Sequence, residues 1–81
     1  MPRVSVGRSR EILREKILYE RYGGYMNVAS VMAELGGVSR PTAMKFLADI
    51  PSYNLTGKKL YDIADIAAKI EGCRVPAVVS R

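Results

Sequence analysis

Two consecutive glycines, Gly36-Gly37, set the strongest limit on how this chain can fold, because they separate two stretches whose apolar residues repeat at helical spacing. Upstream, Val28, Val31, Met32 and Leu35 recur at the 3/4 interval of one buried helical face, and Asn27 stands where an N-cap is needed. Downstream, Ser39 is the next candidate cap, Pro41 is tolerated in a first turn, and Ala43, Phe46 and Leu47 supply an inward face. Glycine accepts the left-handed backbone of a helix C-terminus, so the chain can reverse within a few residues. The expectation for residues 27–48 is therefore two short helices packed across a tight turn. Arg40, Pro41, Met44 and Lys45 would face outward from the second helix.

The flanking stretches add one element before this pair and two after it. Residues 1–8 are short of core-forming side chains and carry Arg3 and Arg8, with Arg10 close behind. They read as a flexible basic arm that either touches DNA, along phosphates or in a minor groove, or is an ordinary basic tail. From Ser9 to about Tyr22 the pattern is helical. Ser9 can cap, Ile12, Leu13, Ile17 and Tyr19 or Glu20 follow near-helical spacing, and Glu11 can pair with Arg14 at i,i+3. Gly23-Gly24 end this helix, which either completes the core or offers a dimerisation surface. After Ala48, Pro51 disfavours helix in the residue before it, and YNLTGKKLY reads as a hairpin. A two-residue turn at Gly57-Lys58 sets Leu55 opposite Leu60, Thr56 opposite Lys59 and Asn54 opposite Tyr61, with glycine first in a type II′ turn. Lys58 and Lys59 would project from its tip, unless this is only a solvated basic turn. Asp62 and Asp65 then open a helix with Ile63, Ile66, Ala67 and Ile70 as its buried stripe, ending at Gly72. The tail 73–81 holds Val75, Ala77, Val78 and Val79, and either packs on its own domain or meets a partner.

Composition narrows the function. At 81 residues the chain makes one small domain, over residues 9–72, with 13 Lys plus Arg against 8 Asp plus Glu and a formal net charge of +5. Between Gly36 and Tyr61, Arg40, Lys45, Lys58 and Lys59 face only Asp49. There is no histidine, and Cys73 is the only cysteine, so an internal disulfide is impossible, Cys73 has no histidine base, and no metal-ligand cluster stands in the sequence. No catalytic residue, metal or cofactor is expected. Without a span-length apolar run or a signal-like N-terminus, the expected location is soluble and cytoplasmic, not membrane-bound.

Residues 27–48 resemble the helix-turn-helix of DNA-binding proteins. Ala33, Gly37 and Val38 occupy its small mid-helix, turn and post-turn apolar places, and the run GVSRPT is common in that motif. An ordinary helical hairpin is the alternative. Over residues 27–70 the order of elements resembles the winged-helix module shared by phage and transposon excisionases and the MerR-like regulators. MNVASVMAELG looks like its opening, VSRPTAMKFL like its recognition helix, and LTGKKLYDIADIAAKI like its wing and closing helix. The implied fold is mainly α with a small β-hairpin, a winged helix-turn-helix with an extra N-terminal helix. By this resemblance Ser39 and Thr42 would hold phosphates, Arg40 and Lys45 would meet base edges beside Pro41 and Met44, and Thr56, Lys58 and Lys59 would form the wing contact. The chain lacks the long C-terminal coiled coil and effector domain of the MerR-like regulators, which favours the excisionase-like branch. Members of that branch are bacterial or phage-encoded, bind double-stranded DNA in several copies, bend it, and help a tyrosine recombinase excise a mobile element. A small transcriptional repressor or activator is the alternative, and a pure protein-interaction module is the third.

Overall fold

The structure is a computed structural model that describes the backbone of residues 6–75 and 77, with side chains from residue 9. In chain order it contains α1 (Val6–Tyr22), β1 (Tyr25–Met26), α2 (Val28–Glu34), α3 (Arg40–Leu47), β2 (Tyr53–Asn54), β3 (Lys59–Asp62) and α4 (Ile63–Gly72). The described residues are mainly helical, with one small antiparallel sheet of strand order β1-β3-β2.

The caps fall where short polar side chains precede apolar runs. The Ser30 amide donates to Asn27 Oδ1 at 2.7 Å, the Thr42 amide to Ser39 Oγ at 3.4 Å, and the Ala64 amide to Asp62 Oδ1 at 2.8 Å. Gly36 and Gly37 have φ of 94° and 81°, so the turn between α2 and α3 uses the backbone that glycine alone adopts without strain. Leu18, Met26, Val31, Ala43, Ile66 and Ala67 are fully buried, and Val28, Leu47, Tyr61 and Ile63 nearly so. The core is one cluster to which α1, β1, α2, α3, β3 and α4 all contribute, with α4 packed on α1 and β3, and α2 packed on α3 and β1. No buried side-chain polar atom among the described residues lacks a hydrogen-bond partner.

Several sequence expectations are corrected. The helix expected from Ser9 already includes Val6, so Ser9 is not its cap and Arg8 belongs to its first turns rather than to an arm. Only one glycine, Gly7, lies between Pro2 and Ser9, at a cost of about 1 kcal/mol, and ties further along α1 offset it. Arg3 lies outside the described residues. Arg10 donates to Glu71 at 3.0 Å and Arg14 to the other oxygen at 2.6 Å, anchoring the first half of α1 to the end of α4. Arg14 therefore serves Glu71 and not Glu11.

The face that α1 buries is also different from the one expected. Ile12, Leu13, Ile17 and Tyr19 are 43–63% exposed, and the inward stripe is Glu11, Arg14, Leu18 and Tyr22. Only Leu18 in that stripe is fully buried. Polar members at the other positions hid the stripe from a reading based on apolar spacing.

The hairpin pairs Tyr53 with Leu60 and Asn54 with Lys59, leaving a four-residue loop at 55–58. This register differs by two residues from the expected one, and a two-residue slip keeps each side chain on the same face. The expected Leu55–Leu60 pair is absent, and Leu55 is 55% exposed. Tyr53 replaces it because its ring meets Tyr25 edge-on at 5.7 Å across the sheet. The third strand, β1, was not anticipated; Tyr25 pairs with Asp62 and Met26 with Tyr61. Phe46 is only half-buried, with Lys69 Nζ 5.7 Å from its ring centroid. Cys73 and Val75 are exposed, whereas Pro76 and Val78–Arg81 lie outside the described residues.

Candidate functional site

An open cleft of about 420 Å³ runs between the start of α2, one side of α3 and the loop end of the β2–β3 hairpin. Asn27, Val28, Ala29, Arg40, Met44, Lys58 and Lys59 line it. Three of the four cations singled out between Gly36 and Tyr61 thus converge across 19 residues of sequence. Arg40 is the first residue of α3, placed by the Ser39 cap and the Gly-Gly turn, while Lys58 and Lys59 end the loop and open β3. Met44, one turn along α3 from Arg40, is half-buried and forms an apolar floor rather than projecting freely.

The other candidate residues surround this cleft without lining it. Pro41, Thr42 and Lys45 are exposed on α3, and Thr56 is exposed in the hairpin loop. Ser39 Oγ and Thr42 Oγ1 lie 3.0 Å apart. Whichever hydroxyl donates in that pair, the other keeps its own hydrogen for an anion. Arg10 belongs to a separate cluster, its guanidinium spent on Glu71. The contribution of Asn27, Val28 and Ala29 was missed by the sequence reading, which gave Asn27 a capping role, Val28 a core role and Ala29 none. A cap whose polar side chain stays exposed at the end of a short helix was the available clue.

Electrostatically the cleft is one-sided. No acid lines it. Among the described residues the ion pairs within 4.0 Å join Arg10 and Arg14 to Glu71, Arg21 to Glu34, and Lys69 to Asp49. Arg40, Lys45, Lys58 and Lys59 therefore have no carboxylate partner there. Lys16 and Arg74 have none either, but Lys16 sits on α1 beside Glu15 and Glu20, and Arg74 follows α4.

The acids are committed elsewhere. The hydrogen bond from Lys69 holds the Asp49 carboxyl below its usual range, so the one acid between Gly36 and Tyr61 is turned toward α4. Arg14, helped by Arg10, does the same for Glu71 against the opposing effect of burial. Burial, then the hydrogen bond to Glu34, raises the Tyr22 hydroxyl. These contacts are structural ties and leave the cleft cations uncompensated.

Comparison with known protein families, with curated proteins and with solved structures finds no match for this chain. Among the described residues there is no group of three or more His, Cys, Asp or Glu that could hold a metal ion. No described helix is long and apolar enough to cross a membrane.

Proposed function

We propose that this protein binds double-stranded DNA, with α2, the glycine turn and α3 acting as a helix-turn-helix and the β2–β3 hairpin as its wing. The observation that carries the reading is the cleft in which Arg40, Lys58 and Lys59 meet without an acid partner. Cations gathered in one cleft without an acid repel one another, and a phosphate backbone relieves that repulsion. A helix such as α3 is about 10–12 Å across with its side chains, which a major groove about 12 Å wide admits. In this arrangement Arg40 and Lys45 reach base edges, with Pro41 and Met44 at the same surface. Ser39 and Thr42 offer a hydroxyl hydrogen to a phosphate, and Thr56, Lys58 and Lys59 hold the neighbouring backbone. No catalytic step, metal or cofactor is part of this function.

Resemblance to the excisionases supports an architectural role in the bacterial or phage cytoplasm. Several copies would lie along the duplex and bend it for a tyrosine recombinase. A single helix-turn-helix domain covers about one half-site per copy, so several copies along the duplex would raise specificity. The exposed apolar residues of α1 favour a second reading, a small transcriptional regulator that works as a dimer. Selection from a random duplex pool, followed by band shifts with permuted site positions, separates the two. Several copies with a clear bend support excision; a symmetric pair on an unbent inverted repeat supports regulation. Failure to enrich any sequence, together with salt-independent weak binding, overturns DNA recognition altogether.

A further inference from the structure

The outer side of α1 carries two apolar flanks that no other described element covers. Ile12 and Tyr19, 49% and 63% exposed, lie one heptad apart and line an open groove with Glu15, Lys16, Glu20 and the edge of Ile63. Leu13 and Ile17 form the other flank, beside Arg10, Arg14 and Glu71. Exposed apolar side chains are unremarkable singly, but a heptad-spaced pair along one groove is the geometry of a helix–helix seam.

The order of residues in the first flank selects its occupant. Its central side chains run Ile12, Glu15, Lys16, Tyr19: apolar, acid, base, apolar, at offsets symmetric about the point between Glu15 and Lys16, while Glu20 stands at the rim, across from Glu11 in such an inversion and outside the pattern. Inverting a second helix about that point brings Ile12 against Tyr19 and Glu15 against Lys16, each pair occurring twice. Such self-complementarity is what a two-fold interface requires, because the same patch must serve on both sides. The second flank has no equivalent pattern, since Arg10 and Arg14 are already bound to Glu71.

We propose that two copies of this chain pair antiparallel through the Ile12–Tyr19 face of α1, forming a symmetric dimer. Four side chains per copy make a small contact, so the dimer is weak and exchanging rather than obligate. The pairing stands independently of DNA binding. Where both hold, the dimer presents two α3 helices related by a two-fold axis and suits an inverted repeat.

Sedimentation equilibrium of the full chain without DNA, from about 10 µM to about 1 mM, covers the range of such weak association. A monomer–dimer equilibrium is expected. Glu15→Lys and Lys16→Glu each turn two attractive contacts per dimer into repulsive ones and should weaken association about tenfold. The double variant Glu15→Lys/Lys16→Glu restores the opposite charges across the interface and should recover the wild-type constant. Ile12→Ser should abolish the dimer while leaving the far-ultraviolet circular dichroism unchanged. A chain that stays monomeric throughout, single swaps without effect, or a double swap no better than the singles would overturn the proposal.

Discussion

Replacing Lys58 and Lys59 together by alanine isolates the electrostatic part of DNA binding. Both side chains are exposed, and neither has a carboxylate partner among the described residues. Their loss should change stability by no more than about 0.5 kcal/mol. The two lysines neutralise about two phosphates, so they steepen the fall of the logarithm of the binding constant with that of salt by about 1.8. Raising salt from about 50 to about 200 mM then weakens the wild type about 12-fold more than the double variant. Fluorescence anisotropy with a labelled duplex, repeated at five or six salt concentrations, measures both slopes. The reasoning fails if the double variant keeps the wild-type slope, or if it loses sequence discrimination while the slope stays put. Either result would mean that the hairpin lysines do not act on the backbone.

Three further outcomes follow from the geometry. Arg40→Ala should leave the melting temperature unchanged and weaken specific binding by about 1–3 kcal/mol; tight, selective binding by this variant would remove Arg40 from base reading. Ile66→Ala, at a fully buried position, should cost about 2–5 kcal/mol in urea unfolding, and Phe46→Ala, half-buried, should cost less than this. The reverse order would show that the core is placed wrongly. Glu71 has a folded-state pKa below its unfolded value, so its contribution is full above the ordinary glutamate pKa of about 4.3 and is lost as pH falls through the depressed folded value. Glu71→Gln should therefore lower the melting temperature at pH 7 and flatten its acid dependence, and an unchanged acid limb would discount the α1–α4 tie.

The elements most legible in the sequence were those whose ends carry their own chemistry. Asn27, Ser39 and Asp62 cap the helices they precede, and Gly36-Gly37 turn where expected, because capping and positive φ depend on a few neighbouring residues. Orientation was harder to read. Four of the five large apolar side chains between Ile12 and Tyr19 point away from the core, because an ion pair to Glu71 holds Arg14 inward and a hydrogen bond to Glu34 holds Tyr22 inward. Such long-range partners are invisible to periodicity. Strand β1 was missed for a similar reason: two residues carry no pattern, and its existence depends on β3 offering a free edge to Tyr25 and Met26. The hairpin register slipped because the Leu55–Leu60 match ignored the Tyr25–Tyr53 contact on the far strand. Within the candidate site, the charge imbalance singled out Arg40, Lys58 and Lys59, and folding brings these three together. The wall formed by Asn27, Val28 and Ala29 depends on how α2 approaches the hairpin, and no local pattern encodes that approach.

The most direct test of the DNA-binding surface is a nitrogen–proton correlation spectrum of labelled protein during titration with a duplex obtained by selection. The largest shifts should fall on Ser39, Arg40, Thr42 and Lys45 of α3, on Thr56, Lys58 and Lys59 of the hairpin, and on Asn27 and Ala29 across the cleft. Signals from Ile63 to Glu71, on the far helix, should barely move. No shift on addition of duplex, or shifts confined to residues 12–20 of α1, would contradict the assignment of this cleft as the site of DNA recognition.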